Sequence, residues 1–244
     1  MRIAIVIPTY KRPEKLIRCI QSILKNTYDN YIIYCVFDNN DYKNCSYIQD
    51  ILNQPSLSKW RDKITLYIMN KQEYNIGIWN DFSKDFKEYD IMIHLCDDTE
   101  LLPDCLAHIV NSMYDNFPDT DGVIGINQIY PDHPEVKFVE NGQCAIGNKF
   151  LDRFPNRHLC CPDYTFWCQD VEALEYEKSI NKFKFCEKAS LIHHHPCFYK
   201  DEKDDTHNIP RGKIHKEDHR IYSKRKSLGY LWGKNFNLIK DKKE

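Results

Sequence analysis

Tyr89-Asp90-Ile91-Met92-Ile93-His94-Leu95-Cys96-Asp97-Asp98-Thr99-Glu100-Leu101-Leu102-Pro103 is an apolar run of strand character that stops at two adjacent carboxylates. Pro103 has a fixed φ suited to a first helical turn, so the sequence predicts a helix from there. Asp97 and Asp98 then stand at the carboxyl end of a strand, on the rim of a sheet. Paired carboxylates are costly to bury without a cation, and at such a rim the usual compensation is a hard divalent ion carrying a phosphorylated ligand. The competing reading makes them caps of the following helix.

Upstream, Ile3-Ala4-Ile5-Val6-Ile7 is continuously apolar and reads as a strand buried on both faces. After it come Pro8-Thr9-Tyr10-Lys11-Arg12-Pro13 and a helix with Leu16, Ile17, Ile20, Ile23 and Leu24 on one stripe, the first half of a βαβ unit. Lys11 and Arg12 lie beside a helix N-terminus, a place for a phosphate or simply a solvated basic turn. Tyr31 to Phe37 is a second buried strand ending on Asp38, which matches Asp97 in position. Side by side in a parallel sheet the two would face one crevice, where Asp38 accepts from a base or a ribose hydroxyl; otherwise it closes a turn on its own backbone. A helix near Tyr47 to Leu52 leads through Pro55 to a strand at Ile64 to Met69. Then Asn75-Ile76-Gly77-Ile78-Trp79-Asn80 opens a helix running to Phe86. Gly77 is the first glycine, so the glycine-rich loop that dinucleotide-binding and P-loop folds, and nucleotidyltransferases, need after their first strand is absent.

Downstream, a helix with Leu106, Ile109, Val110 and Met113 precedes a fifth strand, Gly122 to Ile126. To this point β and α alternate, which predicts a mostly parallel α/β sheet flanked by helices. After Asn127 the pattern loosens through Ala145-Ile146-Gly147 to Asp163-Tyr164-Thr165-Phe166-Trp167-Cys168-Gln169-Asp170 and a helix from Val171 to about Ile180, with Asp170 at its N-cap. A short strand at Lys182 to Phe185 precedes Leu191-Ile192-His193-His194-His195-Pro196. In an extended segment His193 and His195 share one face and His194 takes the other. Lys200 to Arg220 is charged and poor in apolar anchors, and reads as a loop that is mobile or folds over a ligand. Ile221 to Trp232 is expected to form the last helix.

The 244 residues carry a formal net charge of −2 and a pI of about 6.5, which is no basic footprint for nucleic acid. No apolar run is long enough to span a bilayer or serve as a secretory leader. Eleven cysteines, with no C-x-x-C spacing, argue for reduced thiols and against a cysteine zinc site. A soluble, cytoplasmic protein is expected.

Taken together, Ile5-Val6-Ile7-Pro8-Thr9-Tyr10 with Arg12, Asp38, Asn75-x-Gly77-x-x-Asn80 and Leu95-Cys96-Asp97-Asp98-Thr99 resemble family 2-type glycosyltransferases of the GT-A fold. The order and spacing hold over about residues 3 to 110, and more loosely beyond. The resemblance implies one GT-A-like domain over 1–235, with a donor half at 1–110, an acceptor and catalytic half at 111–235, and a flexible tail at 236–244. It implies sugar transfer, inverting and metal-dependent, from a nucleotide-diphospho-sugar to a glycan, lipid-linked or protein acceptor. Pro8, Thr9, Tyr10 and Arg12 would line the nucleotide pocket, Asp38 would contact the base, and Asn75, Gly77 and Asn80 would shape its floor. Asp97 would lie near the ribose and Asp98 would bind the metal. Cys96 occupies the place where the family's first Asp often stands, which leaves Asp98 in need of a second ligand: His193, with His195 as competitor. Imidazole beside carboxylate favours Mn²⁺ over Mg²⁺. Asp170 matches the catalytic base, with Tyr164, Phe166 and Trp167 either facing the acceptor or packing in the core. A nucleotide-sugar or glycan-binding protein without turnover, and a histidine-based zinc hydrolase, are the alternatives from other classes.

Overall fold

The structure, a computed structural model, describes residues 1–54, 58–71, 73–136, 140–195, 198–199 and 211–239. Strand β1 (Ile3–Thr9) is followed by α1 (Pro13–Leu24), β2 (Tyr31–Phe37), α2 (Tyr42–Leu52), β3 (Ile64–Ile68), α3 (Asn75–Asp85) and β4 (Ile91–His94). Next come β5 (Thr99–Leu101), α4 (Cys105–Asn116), β6 (Val123–Ile129), β7 (Cys144–Gly147) and the short α5 (Asn148–Leu151). Helix α6 (Gln169–Ser179), strand β8 (Phe183–His193) and helix α7 (Arg211–Ser227) complete the chain.

All eight strands form one sheet in the order β3-β2-β1-β4-β7-β6-β8-β5. Strand β1 lies in the interior of the sheet, third in that order, because both of its faces are apolar. Ile3, Ile5 and Ile7 pack on α1 and α4 through Leu16, Ile20, Ile23, Leu106 and Ile109, while Ala4 and Val6 face Trp79 and Phe82 of α3 and Phe150 of α5. Burial of a Leu- or Ile-sized side chain contributes about 1.5–3 kcal/mol, so this strand alone anchors both layers.

The parallel half is as expected, with β2 and β4 both pairing parallel with β1. Because β1 separates them, Asp38 and Asp97 are two strands apart at the same sheet edge, and not side by side. The sheet as a whole is mixed. Strand β7 inserts antiparallel between β4 and β6, and β5 pairs antiparallel with β8. The three residues of β5 lie just before the expected helix start at Pro103, and α4 begins at Cys105, two residues beyond it. The two strand pieces predicted at Lys182 to Phe185 and Leu191 to His195 are one strand, β8. It runs parallel to β6 with a register shift after Ile126 that takes up the extra polar residues.

The last helix spans Arg211–Ser227, not Ile221 to Trp232. It lacks an apolar stripe, so periodicity could not reveal it. Its buried residues Asp218 and Arg225 are charged, and only Ile221 among its core positions is apolar. The remainder of the expected loop, 200–210, the Pro55 connection and the tail at 240–244 lie outside the described residues. No described helix is long and apolar enough to cross a membrane, and every described cysteine is free.

Candidate active site

The carboxyl ends of β1, β2 and β4 and the N-termini of α3 and α6 surround a cavity of about 280 Å³. Pro8, Thr9, Tyr10, Arg12, Asp38, Asn75, Asp97, Asp98, Trp167, Asp170 and His193 all line it, with Phe166 and His195. Residues from Pro8 to Ile214, 206 positions apart in the chain, are thus brought to one surface.

Two local devices shape the turn after β1. Lys11 takes a left-handed backbone (φ 56°), and its N–H donates to Asp41 Oδ2 at 2.8 Å. That bond offsets some of the roughly 1–3 kcal/mol that such a conformation costs a non-glycine residue, and it aims Arg12 inward. Arg12 Nη1 donates to Asp97 Oδ1 at 3.0 Å and lies 3.7 Å from Asp98 Oδ2. Thr9 Oγ1 donates to the other Asp97 oxygen at 2.8 Å.

Asp97 and Asp98, adjacent in sequence, are held differently. Burial raises the Asp97 carboxyl above its ordinary range against the opposing pull of Arg12, and the neighbouring Asp98 charge adds to the rise. For Asp98 burial also disfavours the charge, but His193, Arg12 and His195 outweigh it and hold the carboxyl well below the usual range. Asp98 Oδ1 has no hydrogen-bond partner although it is buried. His193 Nε2 lies 3.3 Å from it.

The register explains the meeting of Asp98 and His193. Thr99 of β5 pairs with His193 of β8, and the His194 N–H donates to the Asp98 carbonyl at 2.8 Å. Alternation along the strand then behaves as expected. His193 and His195 face the cavity with rings 5.2 Å apart, and His194 turns away to Glu100 at 2.7 Å. His193 Nδ1 is engaged by Gln128 Oε1 at 2.8 Å and the Tyr130 hydroxyl at 3.0 Å. With Nδ1–H donated to the Gln128 oxygen, the ring is oriented so that Nε2 points at the buried Asp98 oxygen. A carboxylate oxygen and an imidazole nitrogen at that separation share a proton as an ion pair, or a cation bound by both. The pair therefore fits a divalent ion as two of its ligands, with no third His, Cys, Asp or Glu converging on them among the described residues.

Cys96, in the place of an expected carboxylate, is clamped by Gln143. The Cys96 N–H donates to Gln143 Oε1 at 2.9 Å, and Gln143 Nε2 donates to the sulfur at 3.0 Å. Burial first, then the nearby Asp98, pushes the thiol far up, so it stays protonated. Asp170, also on the cavity wall, is the second residue of α6, not its N-cap; Cys168 occupies that position with φ 68°. Asp170 Oδ1 accepts the Val171 N–H at 2.9 Å, and burial raises its carboxyl above the ordinary range. Asp38 is also raised by burial, while it accepts the Asn39 N–H at 2.7 Å; the turn-closing and cavity-facing readings both hold.

Gly77, Asn80 and Tyr164 do not reach the cavity wall. A Cβ at Gly77 would collide with the Glu73 side chain, which does line it, so this glycine makes room for a wall residue. Asn80 exchanges bonds with the Cys160 backbone at 2.8 and 3.0 Å and ties α3 to that segment. Tyr164 is buried with its hydroxyl on Glu172. Glu73, Gln128, Gln143 and Ile214 line the cavity without having been singled out in the sequence. Glu73 was within reach, since it precedes the Asn75–Asn80 run; the other three carry no local signal and arrive by tertiary folding alone.

This curled, mixed sheet, with an acidic motif at the end of β4 and helices on both faces, defines a GT-A-type fold. A sequence model of glycosyl transferase family 2 matches residues 4–176, and the chain belongs to that family. The fold is similar to that of GalNAc-T7, solved with UDP, GalNAc and Mn²⁺, at a TM-score of 0.58 and 14% identity, covering 79% of this chain and 43% of that one. It is likewise similar to the mannosyltransferase PcManGT from Pyrobaculum calidifontis in complex with GDP-Man and Mn²⁺, at a TM-score of 0.58 and 14% identity, covering 79% of this chain and 56% of that one. The chain thus spans about half the length of these two solved chains. No curated protein matches it by sequence.

Proposed function

We propose that the chain is an inverting, metal-dependent glycosyltransferase that moves a sugar from a nucleotide-diphospho-sugar to an acceptor hydroxyl. The observation that carries this reading is the buried Asp98 Oδ1 facing His193 Nε2 at 3.3 Å. It stands in a cavity whose described lining holds five carboxylates (Asp38, Glu73, Asp97, Asp98, Asp170) against one guanidinium, Arg12. A diphosphate entering so acidic a cavity needs added positive charge. Asp98 and His193 would hold that charge as a divalent cation, Mn²⁺ in preference to Mg²⁺ because one ligand is imidazole. When bound, it neutralises charge growing on the departing phosphate.

The chain's own residues supply the rest. Arg12 adds a fixed positive charge beside the diphosphate. Asp38, Thr9 and Asn75 give the nucleotide acceptors and donors, and Asp97, held by Thr9 and Arg12, lies near the ribose. Asp170 takes the proton of the acceptor hydroxyl as its oxygen attacks the anomeric carbon and the sugar–phosphate bond breaks. A carboxylate whose proton affinity is raised by burial suits that task better than an exposed one. Trp167 and Phe166 flank Asp170 on the acceptor side. Residues 1–110 then serve the donor and 111–235 the acceptor, which is a glycan, a lipid-linked saccharide or a protein.

The test is release of nucleoside diphosphate from a panel of UDP- and GDP-sugars with Mn²⁺ and simple saccharide acceptors. Asp170→Asn is expected to lower turnover by about 10²–10⁴-fold while the donor still raises the melting temperature. Asp98→Ala is expected to abolish the Mn²⁺-dependent part of that rise. Turnover indifferent to Asp170 would overturn the assignment of the base. Tight donor binding with no turnover in any combination would make the protein a nucleotide-sugar-binding module.

A further inference from the structure

Helix α7 carries His215-Lys216-Glu217-Asp218-His219, two imidazoles one helical turn apart. Positions i and i+4 share a helix face, the spacing that lets paired helical histidines hold one metal ion. Here the two Nε2 atoms are 3.0 Å apart and the rings 4.2 Å apart, both side chains exposed. Two nitrogens bound to one ion at about 2.0–2.1 Å, and subtending 90–109°, lie about 2.9–3.4 Å from each other. The observed separation falls in that span. Without an ion the contact needs complementary tautomers, one ring giving Nε2–H to the bare Nε2 of the other.

The pair is held on a fixed frame. Asp218, next to His219 and fully buried, accepts from three successive backbone N–H groups, Thr165 at 3.0 Å and Phe166 and Trp167 at 2.8 Å each. About two turns further on, Arg225 is buried in ion pairs with Glu172 and Asp163. The same helix places Ile214 on the cavity wall, and the His215 ring packs edge-on against Trp167 at 5.2 Å. The neighbouring Glu217 is occupied by Arg220 at 2.7 Å.

We infer that His215 and His219 form a second metal site, at the cavity mouth, for a divalent transition ion of the imidazole-preferring class such as Ni²⁺ or Zn²⁺. Carboxylate ligation is absent from it among the described residues, which separates it from the Asp98–His193 pair and its preference for a harder ion. With two protein ligands the remaining positions belong to water, so the site is exchangeable. An ion there holds the His215 ring against Trp167 and stiffens that part of the cavity wall. The inference stands whether or not the chain transfers sugars.

Ni²⁺ titrated into tag-free protein, followed by calorimetry and tryptophan emission, tests it. The intact chain and Asp98→Ala are each expected to bind Ni²⁺ with a change in emission. His215→Ala and His219→Ala, each made alone and in the Asp98→Ala background, are expected to weaken that event about tenfold or more, since loss of a direct ligand costs at least as much as loss of its supporting shell. Lys216→Ala is the neutral neighbour. These are surface changes, and unchanged far-UV circular dichroism verifies the fold. Binding of the same stoichiometry and affinity in both histidine variants would overturn the site, as would an intact chain that binds no Ni²⁺ beyond the Asp98-dependent ion. In the second case the pair is a hydrogen bond only.

Discussion

Arg12 lies against Asp97 and Asp98 on the cavity wall, and Arg225 lies between Glu172 and Asp163 in the interior of the α6–α7 side. Each cluster is one guanidinium with two carboxylates, yet they are finished differently. Around Arg225 the donors and acceptors are matched within the protein. Its Nε and Nη2 reach Glu172 at 2.8–3.2 Å, and its Nη1 reaches Asp163 at 3.0 Å and the Asn237 carbonyl at 2.7 Å. Glu172 also accepts from the Trp232 N–H at 2.6 Å and from Tyr164, and Asp163 from the Ile239 N–H at 2.8 Å. Around Arg12 the set is incomplete, because Asp98 Oδ1 is buried with no hydrogen bond. A saturated ionic cluster ties helices and a chain end together; an unsaturated one at a sheet rim holds binding free energy for a ligand that completes it.

Three measurements sharpen or break this contrast. The largest effect is expected for Arg225→Ala. It strands two buried carboxylates, and the unfolding free energy from urea titration should fall by about 3–5 kcal/mol. A loss under about 1 kcal/mol would place that cluster with ordinary surface pairs.

The second measurement concerns Glu177, a carboxylate of α6 with no ion pair among the described residues. It is fully buried, accepts from Asn141 Nδ2 at 3.1 Å, and burial pushes its pKa from 4.5 to about 8. Between those two values the folded chain holds a proton that the unfolded chain has lost. The stability from this group is therefore fully present below about 4.5 and is lost as the pH rises through about 8. Glu177→Gln removes the titration. From pH 5 to pH 8 the wild type should lose stability relative to the variant by an amount of order a few kcal/mol. Parallel pH profiles for the two chains would show that Glu177 is charged when folded, and that an unpaired carboxylate is tolerated here.

The smallest change in stability is expected for Arg12→Ala. Both carboxylates border the cavity, so removing the guanidinium opens them to its contents, and Asp97, already inclined to bind a proton, can neutralise. The unfolding free energy should move by about 1 kcal/mol or less, while affinity for a nucleoside diphosphate falls by about 10–150-fold, the loss of one charge-assisted hydrogen bond of roughly 1.5–3 kcal/mol. A collapse in stability equal to that of Arg225→Ala would erase the distinction between the clusters.

Much of the first cluster could be read from the chain alone. The doubly apolar Ile3–Ile7 run required a central strand. Asp38, Asp97 and Asp98 stand directly after strands, so their place at the sheet edge followed from strand polarity. Strand alternation separated His193 and His195 from His194. The second cluster could not be read. Asp163, Glu172 and Arg225 are scattered polar positions with no periodic or spacing signal, and α7 hides in a run that lacks an apolar stripe. The missed β5 has the same cause, since three residues are too few to show a period.

By itself, then, the sequence determined the α/β class, the parallel first half, the acidic rim and the family, because these rest on contiguous patterns that local chemistry reads out. Only the tertiary structure decided that β7 inserts antiparallel, that Thr99 pairs with His193 and so brings Asp98 to the imidazole, and that α7 brings Ile214 to the cavity wall. Those outcomes depend on which distant backbone edges and buried charges meet, and pairing energies of that kind are a property of the assembled sheet and not of any stretch within it.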